Sequence, residues 1–157
     1  MKVLQPPGWT TPKGYSNGIA ARGTLIVVGG QIGWNAQQQF ESDDFVAQAR
    51  TALANVVAVL AEAGARPEHI VRMTWYVTDK REYIASYRAL GTAYRDVIGR
   101  HFPAMTAVEV KSLIEDRAKV EIEATAVGPD SPSGTAAVAS GCGRTCGLGM
   151  SRMKWPG

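Results

Sequence analysis

The chain has 157 residues, 45% hydrophobic and 20% charged, with a formal net charge of +3 and a pI near 9.0. That balance fits one globular domain with a core large enough to fold unaided; with no unbroken apolar run of bilayer length and no apolar leader after Met1, a cytoplasmic protein without membrane contacts is expected. The basic balance is no nucleic-acid footprint, because residues 129–157 carry Arg144, Arg152 and Lys154 against Asp130, a net of +2 that leaves only +1 for residues 1–128.

Residues 1–13 hold Pro6, Pro7, Gly8 and Pro12 and predict irregular chain. Gly14 to Ala21 leads into a short strand, Arg22-Gly23 is a turn signal, and the β-branched run Thr24 to Val28 predicts the second strand of a hairpin. Gly29-Gly30 then ends or bends that strand, or leaves backbone N–H groups open to a ligand. Trp34, alone in a polar stretch, is either a lid on the core or part of a binding surface. Ser42-Asp43-Asp44 predicts a helix start. The stripe Val46, Ala49, Leu53, Val56, Val57 and Leu60 runs to about Ala63, with Gly64 as its terminator.

Ile70 to Thr78 alternates, with Val71, Met73, Trp75 and Val77 on one face and Arg72, Thr74, Tyr76 and Thr78 on the other. Asp79 and Glu82 predict the start of a second helix. Its stripe of Tyr83, Tyr87, Leu90, Tyr94 and Val97 reads as core rather than as a base-stacking platform, and Gly99 closes it.

Residues 103–127 read as two more strands joined by a polar turn over residues 112–119. In the first, Thr106, Val108 and Val110 oppose Ala107, Glu109 and Lys111; in the second, Val120, Ile122, Ala124 and Ala126 oppose Glu121, Glu123, Thr125 and Val127. Glu109, Glu121 and Glu123 therefore share the less apolar face, which is either a solvated sheet surface or the lining of a cleft where one carboxylate moves protons.

From Pro129 on, Pro, Ser, Gly and Ala without period predict a flexible tail. Both cysteines, Cys142 and Cys146, lie in it without neighbouring histidines, so neither a disulfide framework nor a metal site is expected. The expected organisation is a domain over 1–128 and a tail over 129–157. The domain is α+β, in order ββαβαββ, with a mostly antiparallel mixed sheet and two helices on one face. The other face carries Tyr76 and Val127 and is expected to be partly covered by further subunits, with clefts at the seams.

Five groups of residues resemble the RidA/YjgF family of reactive-intermediate deaminases, also called L-PSP-type proteins. They are Gly14-Tyr15 with Gly18; Val28-Gly29-Gly30-Gln31-Ile32; Gln48-Ala49-Arg50 through Leu53, Asn55-Val56 and Leu60 to Ala63-Gly64; Ile70-Val71 through Thr74 and Tyr76-Val77 to Asp79; and Phe102-Pro103-Ala104 through Val108-Glu109-Val110 to Val120-Glu121-Ile122-Glu123-Ala124. The resemblance covers residues 14–128. It implies a chorismate-mutase-like fold and a homotrimer with ligand clefts between subunits. It also implies hydrolysis of enamines and imines such as 2-aminoacrylate without metal or organic cofactor.

Carried over position by position, the resemblance makes Glu121 the residue that positions the hydrolytic water. It makes Tyr15 a cleft residue and Gly30 the glycine whose backbone meets the ligand. Two positions depart: Met105 stands where deaminating members have an arginine that grips the substrate carboxylate, and Ala107 where many have a cysteine. A lost bidentate clamp costs on the order of 3 kcal/mol of binding and orientation. The sequence thus resembles the subgroup lacking that arginine, and Arg72, Arg88 and Arg95 are the candidate cations to stand in for it. The expected function is a cofactor-independent enamine or imine deaminase with a substrate other than 2-aminoacrylate. The alternative is a non-catalytic, small-molecule-binding or regulatory trimer. An endoribonuclease ranks last, since His69 and His101 are not spaced as an acid–base pair.

Overall fold

In the computed structural model, which describes residues 1–130, the chain runs β1 (Lys2–Leu4), β2 (Gly18–Ala20), β3 (Thr24–Ile32), α1 (Phe45–Glu62), β4 (Ile70–Val77), α2 (Lys80–Ala85), α3 (Tyr87–Val97), β5 (Ala104–Glu109) and β6 (Val120–Gly128). The tail expected to contain Cys142 and Cys146 lies, from residue 131 on, outside the described residues.

Strand β6 sits inside a four-stranded sheet of order β3-β6-β4-β5. Its sequence alternation is realised in full: Val120, Ile122, Ala124 and Ala126 are buried, and Glu121, Glu123, Thr125 and Val127 are half-buried on the other face. β6 is antiparallel to both neighbours, with Val28 opposite Ala124 and Trp75 opposite Ile122. β4 and β5 are parallel, Met73 opposite Met105 and Trp75 opposite Ala107.

Three local expectations are corrected here. Residues 103–127 are not a hairpin, because β4 stands between β5 and β6. The strand–helix–strand spacing from β4 to β5 is that of a parallel crossover, which the helical segment in between makes sterically feasible. The faces of β5 are consequently inverted: Met105 and Ala107 follow Met73 and Trp75 to the helix side, as does Glu109 opposite Val77. Finally, β2 pairs with β1 rather than β3, so part of the Pro-rich start is a strand, Lys2 opposite Ala20 and Leu4 opposite Gly18.

Helix α1 begins where expected, the Asp44 carboxylate accepting the Ala47 N–H at 2.8 Å. It ends at Ala63 with Gly64 at φ +65°, a conformation that costs glycine nothing. By length and composition α1 is apolar enough to cross a bilayer, but it carries Arg50, and Ala49, Leu53, Val56 and Leu60 are spent on the sheet. Asp79 caps α2 through Arg81 N–H at 2.8 Å. The second predicted helix is divided at Ser86, whose backbone (φ −96°, ψ 3°) leaves the helical region. Trp34 packs on Phe40, ring centroids 6.1 Å apart, within its own loop. Helices α1 and α3 cover one face of the sheet; Leu25 and Val27, 65% and 70% exposed, lie on the other face opposite Val127 and Thr125.

Candidate active site

The predicted site residues fall into two groups at the two edges of the sheet. The first is Gly30 with Glu121. At Gly29-Gly30 strand β3 bends rather than ends: the pairing with β6 skips from Val28–Ala124 to Gln31–Ile122, leaving both glycines without cross-strand partners. The Glu121 side chain fills the space this opens, so that a Cβ added at Gly30 would fall on the Glu121 Oε1. Any side chain at residue 30 would therefore displace the carboxylate. Burial raises the Glu121 pKa above its ordinary value, and the charge of Glu123 on the same face raises it further. Glu123 is itself held by the Tyr76 hydroxyl, which donates to Oε1 at 3.1 Å. That hydrogen bond, followed by burial, raises the Tyr76 pKa.

The second group is Tyr15 with Met105 and Ala107, which line a cleft of about 840 Å³ along the outer edge of β5. Ser16 fixes Tyr15 there: its N–H donates to Pro103 O at 2.9 Å and its hydroxyl to Phe102 O at 2.6 Å, which lays this segment alongside β5. Trp75 from β4 and Tyr83, Tyr87 and Leu90 from the helices form the remaining apolar wall, and Lys13 and Arg95 stand at its rim. Tyr83 is the hub of the wall, edge-on to Phe45, Trp75 and Tyr87 at 6.3, 6.3 and 5.3 Å. Its pKa is raised by burial and then by Tyr87.

The helical stripe read as core is thus core only in part. Leu90 and Tyr94 are buried, whereas Tyr87 is 58% exposed to the cleft. Of the three arginines considered as substitute cations, Arg95 lines this cleft. Arg72 lies instead on the helix-free face beside Glu123, in a separate hollow. Arg88 lines neither. Sequence reasoning missed the cleft role of Lys13, Trp75, Tyr83 and Tyr87. The one available signal was an aromatic stripe longer than a three-turn helix can bury.

The third carboxylate of the predicted face, Glu109, belongs to neither group. It accepts the Lys80 N–H at 2.9 Å at the start of α2, where a helix dipole favours negative charge. The histidines are engaged structurally: His101 Nε2 lies 2.6 Å from Ile70 O and His69 Nδ1 accepts the Arg66 N–H at 3.0 Å.

A mixed sheet with helices on one face, a glutamate over a glycine at one edge and a ligand-sized cleft at the other define a chorismate-mutase-like α+β domain. The family model described as Endoribonuclease L-PSP matches residues 9–128. The 2-iminobutanoate/2-iminopropanoate deaminase of Escherichia coli strain K12 is 38% identical over 108 residues, 67% of this chain and 80% of that protein. Among solved structures, the Rid-family protein YyfB of Yersinia pestis superposes with a TM-score of 0.71 at 29% identity, over 80% of this chain and 97% of that one. The yjgF gene product of E. coli superposes with a TM-score of 0.57 at 32% identity, over 81% and 98%. The chain belongs to the RidA/YjgF family.

Proposed function

We propose that this protein is a cofactor-independent deaminase that hydrolyses an imine, or an enamine after its tautomerisation, to a carbonyl compound and ammonia. We propose further that it works as a homotrimer. The observation that carries the reaction is the half-buried Glu121 carboxylate seated over the Gly30 backbone. The deaminase name of a relative supports the same reaction class.

In this mechanism Glu121 holds a water against the imine carbon. As the C–O bond forms, Glu121 takes a proton from the water and the C=N electron pair moves to nitrogen, to which Glu121 then delivers that proton. The carbinolamine then collapses: Glu121 carries the hydroxyl proton to the nitrogen, an oxygen electron pair forms the C=O bond, the C–N bond breaks, and ammonia leaves. One water is consumed per carbonyl formed. A carboxylate with a raised pKa is the stronger base for the first step.

The same geometry supports a trimer. Met105 faces the helix side and Glu121 the helix-free side, with β4 between them. One chain therefore cannot bring them to one substrate. A closed ring in which the β5 edge of one copy meets the β3 edge of the next would join Tyr15, Met105 and Ala107 to a neighbour's Gly30 and Glu121. Exposed Leu25 and Val27 on the helix-free face support such association.

The test is to generate imines with an amino-acid oxidase and follow their loss with and without the protein. Acceleration that disappears in Glu121→Gln, with assembly unchanged, is the expected result; equal turnover in that variant would refute the mechanism. Met105 favours a second reading, a binding trimer without turnover, which predicts ligand recovered unchanged after long incubation.

A further inference from the structure

The walls of the cleft have a definite chemistry. Met105, Ala107 and Trp75 from the strands and Tyr83 and Tyr87 from the helices line it. Tyr87 is held edge-on against Tyr83 at 5.3 Å yet remains 58% exposed. It therefore presents an ordered aromatic surface, and among the described residues Tyr83 is its one aromatic neighbour. Flat rings find favourable stacked or edge-to-face partners on such a surface.

Space is kept at two further points. Ala107 is small. Gly91 sits mid-helix in α3, where glycine is less favourable than alanine, although a Cβ there would meet only the Arg95 guanidinium at an ordinary 3.5 Å. Packing within the chain does not demand glycine at 91, and its lack of a side chain keeps the cleft wall low there. At the rim, Lys13 and Arg95 have no carboxylate partner among the described residues, and Arg95 makes only a long contact, 3.5 Å, to the Thr92 hydroxyl.

We infer that this cleft selects 2-imino acids bearing a large, flat aromatic side chain, with the ring against Tyr87, Tyr83 and Met105 and the carboxylate at the Arg95–Lys13 rim. The inference rests on the deaminase reading and adds the substrate class to it. It also accounts for Met105: the carboxylate is gripped from the helix α3 side, so the β5 position is free to contact an apolar ring with an adaptable thioether.

Two readouts separate this inference from the reaction itself. The first is kcat/KM for imines generated from phenylalanine and from 2-aminobutyrate. The unmodified protein is expected to favour the aromatic imine by at least about tenfold, and Tyr87→Ala to reduce that ratio by about tenfold. Faster hydrolysis of the small imine, or a ratio unmoved by Tyr87→Ala, would overturn the inference and leave the deaminase reading intact. The second is calorimetric binding of the product-type acids phenylpyruvate and pyruvate, which needs no turnover. Phenylpyruvate is expected to bind at least about tenfold more tightly, and Arg95→Gln to weaken it about tenfold. That preference without turnover of any imine would support the cleft assignment while refuting the deaminase. Neither turnover nor preference would refute both. Exposed Tyr87 and Arg95 can be changed without risk to the core.

Discussion

Glu121 is where electrostatics and chemistry meet at the scale of single residues. Its pKa is raised first by burial and then by Glu123, and in the proposed mechanism it must be ionised to accept a proton from water. Activity should therefore rise with pH through a limb lying above the ordinary glutamate range. Glu123→Gln, which keeps an acceptor for the Tyr76 hydroxyl but removes the neighbouring charge, should move the limb of a kcat/KM profile to lower pH. An unmoved limb would exclude Glu121 as the titrating base. The same shift acts on stability with the opposite preference. An acid with a raised folded-state pKa binds its proton more tightly when folded, so stability falls as pH rises through that pKa. Glu121→Gln is therefore expected to unfold in denaturant at a midpoint no lower than wild type at neutral pH. Met105→Arg tests the missing clamp: the longer side chain can carry its guanidinium to the cleft along its apolar stem. It should raise kcat/KM for the imine of 2-aminobutyrate by on the order of tenfold, measured beside wild type in the same oxidase assay.

Among the elements, the segment before β6 sets the register that delivers Glu121. Gln48 on α1 is fully buried, and its amide holds this segment: Nε2 donates to Ser42 O at 3.1 Å and Arg117 O at 3.0 Å, and Oε1 accepts the Lys119 N–H at 2.9 Å. Gln48→Leu keeps the volume but strands two carbonyls and an N–H. A loss of about 3 kcal/mol is expected in chemical denaturation, with weakened catalysis. This anchor was invisible in the sequence, where Gln48 is one polar residue inside an amphipathic helix. The β6 alternation and the Asp44 and Asp79 caps were legible, because each is written in local spacing. Strand partners were not: Ala104–Glu109 looks the same whether it pairs with β6 or with β4. The parallel register to β4, rather than any residue of β5, turns Met105 and Ala107 towards the helices. Glu121 and Gly30 were legible through resemblance, but the aromatic cleft wall emerged only once α3 had been packed beside β5.

For the whole molecule, the two halves of the site lie at opposite sheet edges, and this division turns a question about catalysis into one about assembly. The helix-free face with Leu25 and Val27 should be closed by neighbours, so Val27→Asp is expected to give monomers by sedimentation and to lose activity with them. The most direct test mixes two variants, Glu121→Gln and Met105→Glu, each expected to be inactive when assembled alone. Unfolded together and refolded at equal ratio, they form sites that draw the cleft half from one variant and the carboxylate half from the other. Composite sites in the proposed closed ring predict recovery of roughly a quarter of wild-type activity, the random share of interfaces with two intact halves. Mixed trimers that stay inactive would contradict them.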